Sequence, residues 1–208
     1  MTRHFNHVPI PELPNLIRTT INGKRHYSTP SGELISITSL LSTNTPDSIL
    51  KWRENVGDDV ANYVMRAAAN RGTKVHKLVE LTLSNIETYG EISEFGVLPV
   101  GLFNLMAAEL EKIDNIRVLE QPLYSVELGV AGTVDAIAEY NSSLACLDFK
   151  TASRIRTKED IANYFLQCTF YSKAWEEMTG EKIEKIVIIM ASEDGHSEVF
   201  EEKPSNYT

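Results

Sequence analysis

Residues 132–153 read GTVDAIAEYNSSLACLDFKTAS, and the fold turns on how this stretch doubles back on itself. Two runs of strand-forming residues, VAGTVDAIAEY (130–140) and SLACLDFKT (143–151), flank Asn141-Ser142. Two turn-forming residues between two such runs predict an antiparallel hairpin. With Asn141-Ser142 as the turn, Tyr140 pairs with Ser143. Counting back along the pair makes Asp135 the direct partner of Asp148, with Cβ atoms roughly 4.5–5.5 Å apart. Lys150, two residues beyond Asp148, projects from the same face.

Two carboxylates crowded onto a sheet among apolar neighbours (Val134, Ala136, Ile137, Leu147, Phe149) repel each other and resist desolvation. A divalent cation removes that penalty, and hard oxygen donors favour Mg²⁺ or Mn²⁺. Asp135, Asp148 and the backbone carbonyl of Phe149 are therefore the expected ligands, with Lys150 placed to orient or deprotonate a water. Such a site suits in-line hydrolysis of a phosphodiester. The D-x-K spacing alone carries little weight, because a chain with 24% charged residues produces it by chance and its ordinary meaning is a surface ion pair. What favours function is the hairpin register, which sets a second carboxylate beside Asp148.

Working outward, residues 159–178 carry Ile161, Phe165, Cys168, Ser172 and Trp175 at helical spacing, and Thr179-Gly180 ends that helix. KIVIIMA (185–191) reads as a buried strand and 196–201 as one more. Upstream, a strand is expected at 117–127 and a helix at about 100–113. Before these lies KVHKLVELTLSNI (74–86), capped by Thr73, with Val75, Leu78, Val79, Thr82 and Ile86 as its stripe. Asn70-Arg71-Gly72-Thr73 is expected to interrupt the helical region that opens at Gly57-Asp58-Asp59. Thr45-Pro46 reads as an N-cap and first helical residue, with that helix reaching about Glu54.

Nearer the N-terminus, residues 16–28 read as a hairpin about Asn22-Gly23, and Pro30-Ser31-Gly32 turns into the strand LISIT (34–38). Residues 1–14, with three prolines, form an irregular arm. From Thr73 the order is helix, three antiparallel strands, helix, strand. The expectation is one α/β domain over 1–208, with arm, hairpin and helices in 1–70 and the core in 71–202.

The bulk numbers agree with one soluble globular domain: 208 residues, 42% hydrophobic. There is no apolar run of membrane-spanning length, and the first twenty residues resemble neither a signal nor a transit peptide, so a cytoplasmic bacterial or phage protein is expected. Cys146 and Cys168, the only cysteines, are too few for a disulfide framework or a Cys₄ site and read as small buried residues. The net charge of -9 argues against coating nucleic acid by bulk electrostatics. Positive charge is patchy instead. Lys150, Arg154, Arg156 and Lys158 form one cluster, and Arg66, Arg71, Lys74 and Lys77 form another.

With these residues in hand, the sequence resembles the PD-(D/E)xK nuclease superfamily, specifically its RecB-type branch. GTVDAIAEYNSSLACLDFKTAS matches that branch's pattern of a glycine-led first acid followed by D-x-K-T. RGTKVH (71–76) is similar to its helix motif ending in histidine, and QCTFY (167–171) to its Q-x-x-x-Y motif. Residues 35–55, ISITSLL…ILKWREN, resemble the start of phage and mitochondrial genome maintenance exonucleases. The resemblance implies a restriction-endonuclease-like α-β-β-β-α-β core. It makes His76 a further metal ligand or phosphate contact, with Glu80 assisting by a hydrogen bond. It makes Gln167 a positioner of Lys150 or the phosphate, and Tyr171 a contact to the DNA backbone. The family's proline before the first acid is absent, since Val134 precedes Asp135. The cysteines of the iron–sulfur subgroup are missing too, so no cluster is expected.

The function expected is a Mg²⁺- or Mn²⁺-dependent DNA exonuclease acting on single strands or free ends. Arg71, Lys74, Arg154 and Arg156 would contact phosphates, and the N-terminal hairpin with the 46–70 helices would cover the channel. Trp52 reads as a core anchor, with base stacking the other option. No P-loop is present, so a helicase or recombination partner would be a separate chain. A structure-specific or restriction-type endonuclease on the same core is the enzyme alternative. A catalytically silent nucleic-acid-binding module is the non-enzyme one.

Overall fold

The computed structural model describes residues 3–43, 47–87 and 91–207. The proline-rich arm is irregular, as expected, yet tied down: Phe5 is buried, and Asn6 and Val8 exchange backbone hydrogen bonds with Ile116. A hairpin follows, β1 (Ile17–Ile21) and β2 (Lys24–Thr29), turning at Asn22 and Gly23, both at positive φ. β3 (Gly32–Ser36) pairs with β2. The strand expected to run through Thr38 stops at Ser36, because the Ser36 hydroxyl accepts the Ser39 N–H and caps the short α1 (Ile37–Leu41). α2 (Asp47–Val56) comes next; the cap expected at Thr45-Pro46 lies outside the described residues.

α3 (Asp58–Leu83) corrects the expectation of two helices. It runs unbroken for 26 residues, about 39 Å. Asn70-Arg71-Gly72-Thr73 does not interrupt it, and the Thr73 hydroxyl donates back to the Ala69 carbonyl at 3.0 Å instead of capping a new start. Packing overrides local propensity here. Val75, Leu78, Val79 and Leu83 are fully buried against the sheet and the neighbouring helix, whereas Ile86 falls beyond the helix and is exposed. α4 (Glu91–Phe95) and α5 (Val97–Leu110) lead into β4 (Ile113–Ser125), β5 (Val130–Tyr140) and β6 (Ser143–Ala152). A 3₁₀ turn precedes α6 (Ala162–Thr179), and β7 (Lys185–Ser192) and β8 (Ser197–Glu202) complete the order. No helix among the described residues is long and apolar enough to cross a membrane.

The strands form one mixed, mostly antiparallel sheet in the order β1-β2-β3-β5-β6-β7-β8, with β4 on the other edge of β5. β6 and β7 pair in parallel; β7 is buried from Ile186 to Ser192 and β6 from Leu144 to Phe149, as their apolar runs require. One face is covered by α6, where Phe165, Cys168, Tyr171 and Trp175 pack on Cys146, Ile186 and Ile188. The other is covered by α3 and α5, where Val75, Val79, Leu102 and Met106 pack on Leu147, Phe149, Val187 and Ile189. Both cysteines are fully buried.

The hairpin turn has the expected register, with Tyr140 paired to Ser143, and Asn141 and Ser142 at positive φ. The ladder between β5 and β6 closes at Ala136↔Leu147. At its other end the same edge of β5 pairs with β3, through Val130 and Ala131. Between these two partners the sheet forks. Asp135 sits at the fork, and its Oδ2 accepts the Phe149 N–H at 2.8 Å, so a side chain spans the gap where the backbone ladder stops.

The alternation of faces also slips at this point. Val134 packs in the α6 core and Ala136, two residues on, packs in the α3/α5 core. Across the pair, Leu119 and Leu123 divide in the same way. Regular strands keep residues two or four apart on one face. The pairs Leu119↔Ala136 and Gln121↔Val134 bracket Glu120 opposite Asp135, and Glu120 takes a left-handed φ of 47°.

Candidate metal centre

The fork collects side chains from α3, β4, β5 and β6. His76 reaches in from α3 with its Nδ1 3.5 Å from Asp135 Oδ1 and 3.6 Å from Glu120 Oε1. The His76 ring meets the Phe149 ring edge-on, with centroids 6.5 Å apart. Ligand atoms of His76, Glu120 and Asp135 lie within 4.8 Å of one another, close enough to share one ion. Beside them Asp148 is buried, with Oδ1 accepting from Lys150 Nζ at 2.7 Å. Its second oxygen, Oδ2, is buried with no hydrogen-bond partner. An unsatisfied buried carboxylate oxygen is costly, and a hard cation answers that cost. One imidazole and three carboxylates are a donor set that fits a divalent ion.

Burial and charge oppose each other throughout the cluster. Burial, together with the nearby Asp135 charge, pushes the Asp148 carboxyl up to about 6, against the pull of Lys150. Burial would also raise Asp135, but His76, Lys150 and the Phe149 N–H outweigh it and hold that group below its usual range. For His76, burial opposes the charged ring; the Asp135 carboxylate and hydrogen bonds to Asp135 and Glu120 overcome it, raising the imidazole to about 10. Lys150, although buried, is held above the ordinary lysine range by Asp148 and Asp135.

The structure sorts the residues singled out from sequence. His76, Asp135, Asp148, Phe149 and Lys150 converge. Asp135 and Asp148 are close enough for the Asp135 charge to act on Asp148, although the ladder ends one pair before them. Gln167, on α6, donates through Nε2 to the Tyr171 hydroxyl at 3.0 Å. Tyr171, which the resemblance made a DNA contact, is 1% exposed, with its ring against Gly132 and its hydroxyl accepting from Gln167. Glu80 pairs with Lys77 rather than assisting His76. Of the expected phosphate contacts, Arg71 pairs with Glu193 and Lys74 donates to the Phe95 carbonyl. Arg154 and Arg156 are exposed and without a partner among the described residues. Trp52 is half-buried on α2 and belongs to none of the core clusters.

Glu120 was missed from sequence. Its signal is the pairing of β4 with β5 across residues 126–129, a longer connection than the two-residue turn at Asn141-Ser142.

No protein-family model matches the chain. In sequence it is similar to mitochondrial genome maintenance exonuclease 1 of Homo sapiens, at 28% identity over 124 residues, which cover 58% of this chain. The match spans 34% of that relative's length. Among solved structures, the crystal structure of SSO0001 overlays 63% of this chain and 62% of its own at 17% identity. Its TM-score of 0.34 is too low to bear on fold or function.

Proposed function

We propose that this chain is a divalent-metal-dependent deoxyribonuclease of the PD-(D/E)xK superfamily and RecB-type branch, hydrolysing DNA as an exonuclease from free ends or single strands. The observation that carries the reading is the partnerless buried oxygen of Asp148, set against Lys150 and beside the His76, Glu120 and Asp135 cluster. The similarity to a human exonuclease supports the same reaction class and substrate.

Asp135, Asp148 and the Phe149 carbonyl, with His76 and Glu120 closing the set, would hold a Mg²⁺ or Mn²⁺ ion, which would supply Lewis-acid polarisation of the phosphate and a more acidic water. Lys150 directs an N–H toward the attacking water and steadies charge on the phosphate oxygens. The water oxygen adds to phosphorus and gives up a proton to bulk water, the phosphorus–oxygen ester bond opposite breaks, and the leaving oxygen takes a proton from bulk water. Gln167, whose Nε2 donates to the Tyr171 hydroxyl, would position Lys150 or the phosphate. Arg154 and Arg156, which follow the β6 strand, draw the strand's phosphates across the site.

The test is digestion of single- and double-stranded DNA, labelled at each end in turn, with Mg²⁺ or Mn²⁺. Release of short products from an end supports the proposal. Efficient cutting of closed circles would replace exonuclease by endonuclease, and intact DNA under all conditions would overturn catalysis altogether.

A further inference from the structure

Tyr164 has no part in the cluster above, yet it is the nearest aromatic partner of its lysine. It sits on the first turn of α6, half-buried at the edge of the α6 core. Lys150 Nζ lies over its ring, 4.9 Å from the centroid. The Tyr164 hydroxyl has no partner among the described residues.

A lysine ammonium is a flexible point charge with three donors. Here one goes to Asp148 Oδ1 at 2.7 Å. That carboxylate is also a candidate metal ligand, so its hold on Lys150 weakens whenever a cation shares it. The Tyr164 face is a second anchor that a cation does not compete for, since it attracts the ammonium through the ring quadrupole. It constrains Lys150 from the α6 side and leaves the remaining N–H groups for water and phosphate.

We propose that Tyr164 is a positioning residue that holds the Lys150 ammonium in its working orientation through the face of its ring; this rests on the nuclease reading of the same site. The ring, not the hydroxyl, is the active feature. Tyr164→Leu therefore lowers kcat about ten-fold with KM nearly unchanged, whereas Tyr164→Phe restores kcat to within about two-fold of wild type. In metal-free protein, the Lys150 side-chain NMR signals, displaced by the ring current, return toward ordinary lysine positions in Tyr164→Leu and stay displaced in Tyr164→Phe. Mn²⁺ affinity, measured calorimetrically, stays within about two-fold in both variants.

Wild-type protein is assayed first on end-labelled DNA, so that a failure of the nuclease reading appears there. With wild type active, an unchanged kcat in Tyr164→Leu overturns the positioning role. So does an equal loss in Tyr164→Phe, which would assign the hydroxyl instead. If Tyr164→Leu does not fold, Tyr164→Phe and Tyr164→Trp carry the test: retained activity with displaced lysine signals supports the role, and loss in Phe overturns it.

Discussion

Asp148 is the residue on which the site's energetics concentrate, because one oxygen is paired with Lys150 and the other is stranded. Mn²⁺ at about 100 times its dissociation constant should stabilise wild type by about 2.7 kcal/mol, read as a rise in melting temperature. Asp148→Ala should abolish that rise. Glu120→Gln should weaken Mn²⁺ binding about 10- to 100-fold by calorimetry, and unchanged affinity would remove Glu120 from the site. His76 carries a pH prediction for the metal-free protein. Its folded value, about 10, lies above the reference 6.5, so its stabilising contribution is complete below pH 6.5 and is lost as pH climbs through 10. Denaturant titrations in EDTA should therefore show wild type losing its advantage over His76→Asn across that window. Asp135, Asp148 and Lys150 could be read from sequence because a two-residue turn fixes a register by counting. Glu120 could not, because its neighbourhood depends on a longer connection and on a backbone slip that side-chain patterning conceals.

At the level of elements, two glycines in the same neighbourhood have opposite reasons to exist. A Cβ on Gly132 would come within 2.8 Å of Tyr171 Cε1 and 2.9 Å of Ile37 Cγ2, so Gly132→Ala overpacks the junction of β5, α1 and α6 and should cost about 1–3 kcal/mol. Gly72 lies inside α3, and a Cβ there meets only Thr151 Oγ1 at an ordinary 3.6 Å. Gly72→Ala should therefore stabilise by about 0.5–1 kcal/mol in chemical denaturation. Most element types were legible from sequence, since period and turn chemistry agree for the hairpins, β6, β7 and α6. α3 departs from expectation at residues 70–73, where two weak helix formers, Asn70 and Thr73, and a glycine look like a break. The helix continues because its later residues are buried on both the sheet and α5, a tertiary gain that local signals do not carry.

For the molecule as a whole, charge sets how a strand can be held. With a net -9, long-range steering of DNA is unfavourable, and much of the local positive charge is already spent: Arg71 on Glu193, Lys77 on Glu80, Lys158 on Glu202. Arg154 and Arg156 are exposed with no partner among the described residues, and on the proposed function they are the ones that meet phosphates. Replacing both by alanine should weaken single-strand binding and flatten the slope of log affinity against log salt by roughly 1.4, measured without cleavage in Ca²⁺. An unchanged slope would place the strand elsewhere. The slipped pair of strands behind the site has a further consequence, for how this chain can change length. Because the faces of β4 and β5 switch together at Glu120 and Asp135, a residue added to one strand alone would throw every later partner to the wrong core. Insertions should be accepted in the connection at 126–129 and rejected on either side of the switch, a contrast that a one-residue insertion scan read by solubility would expose.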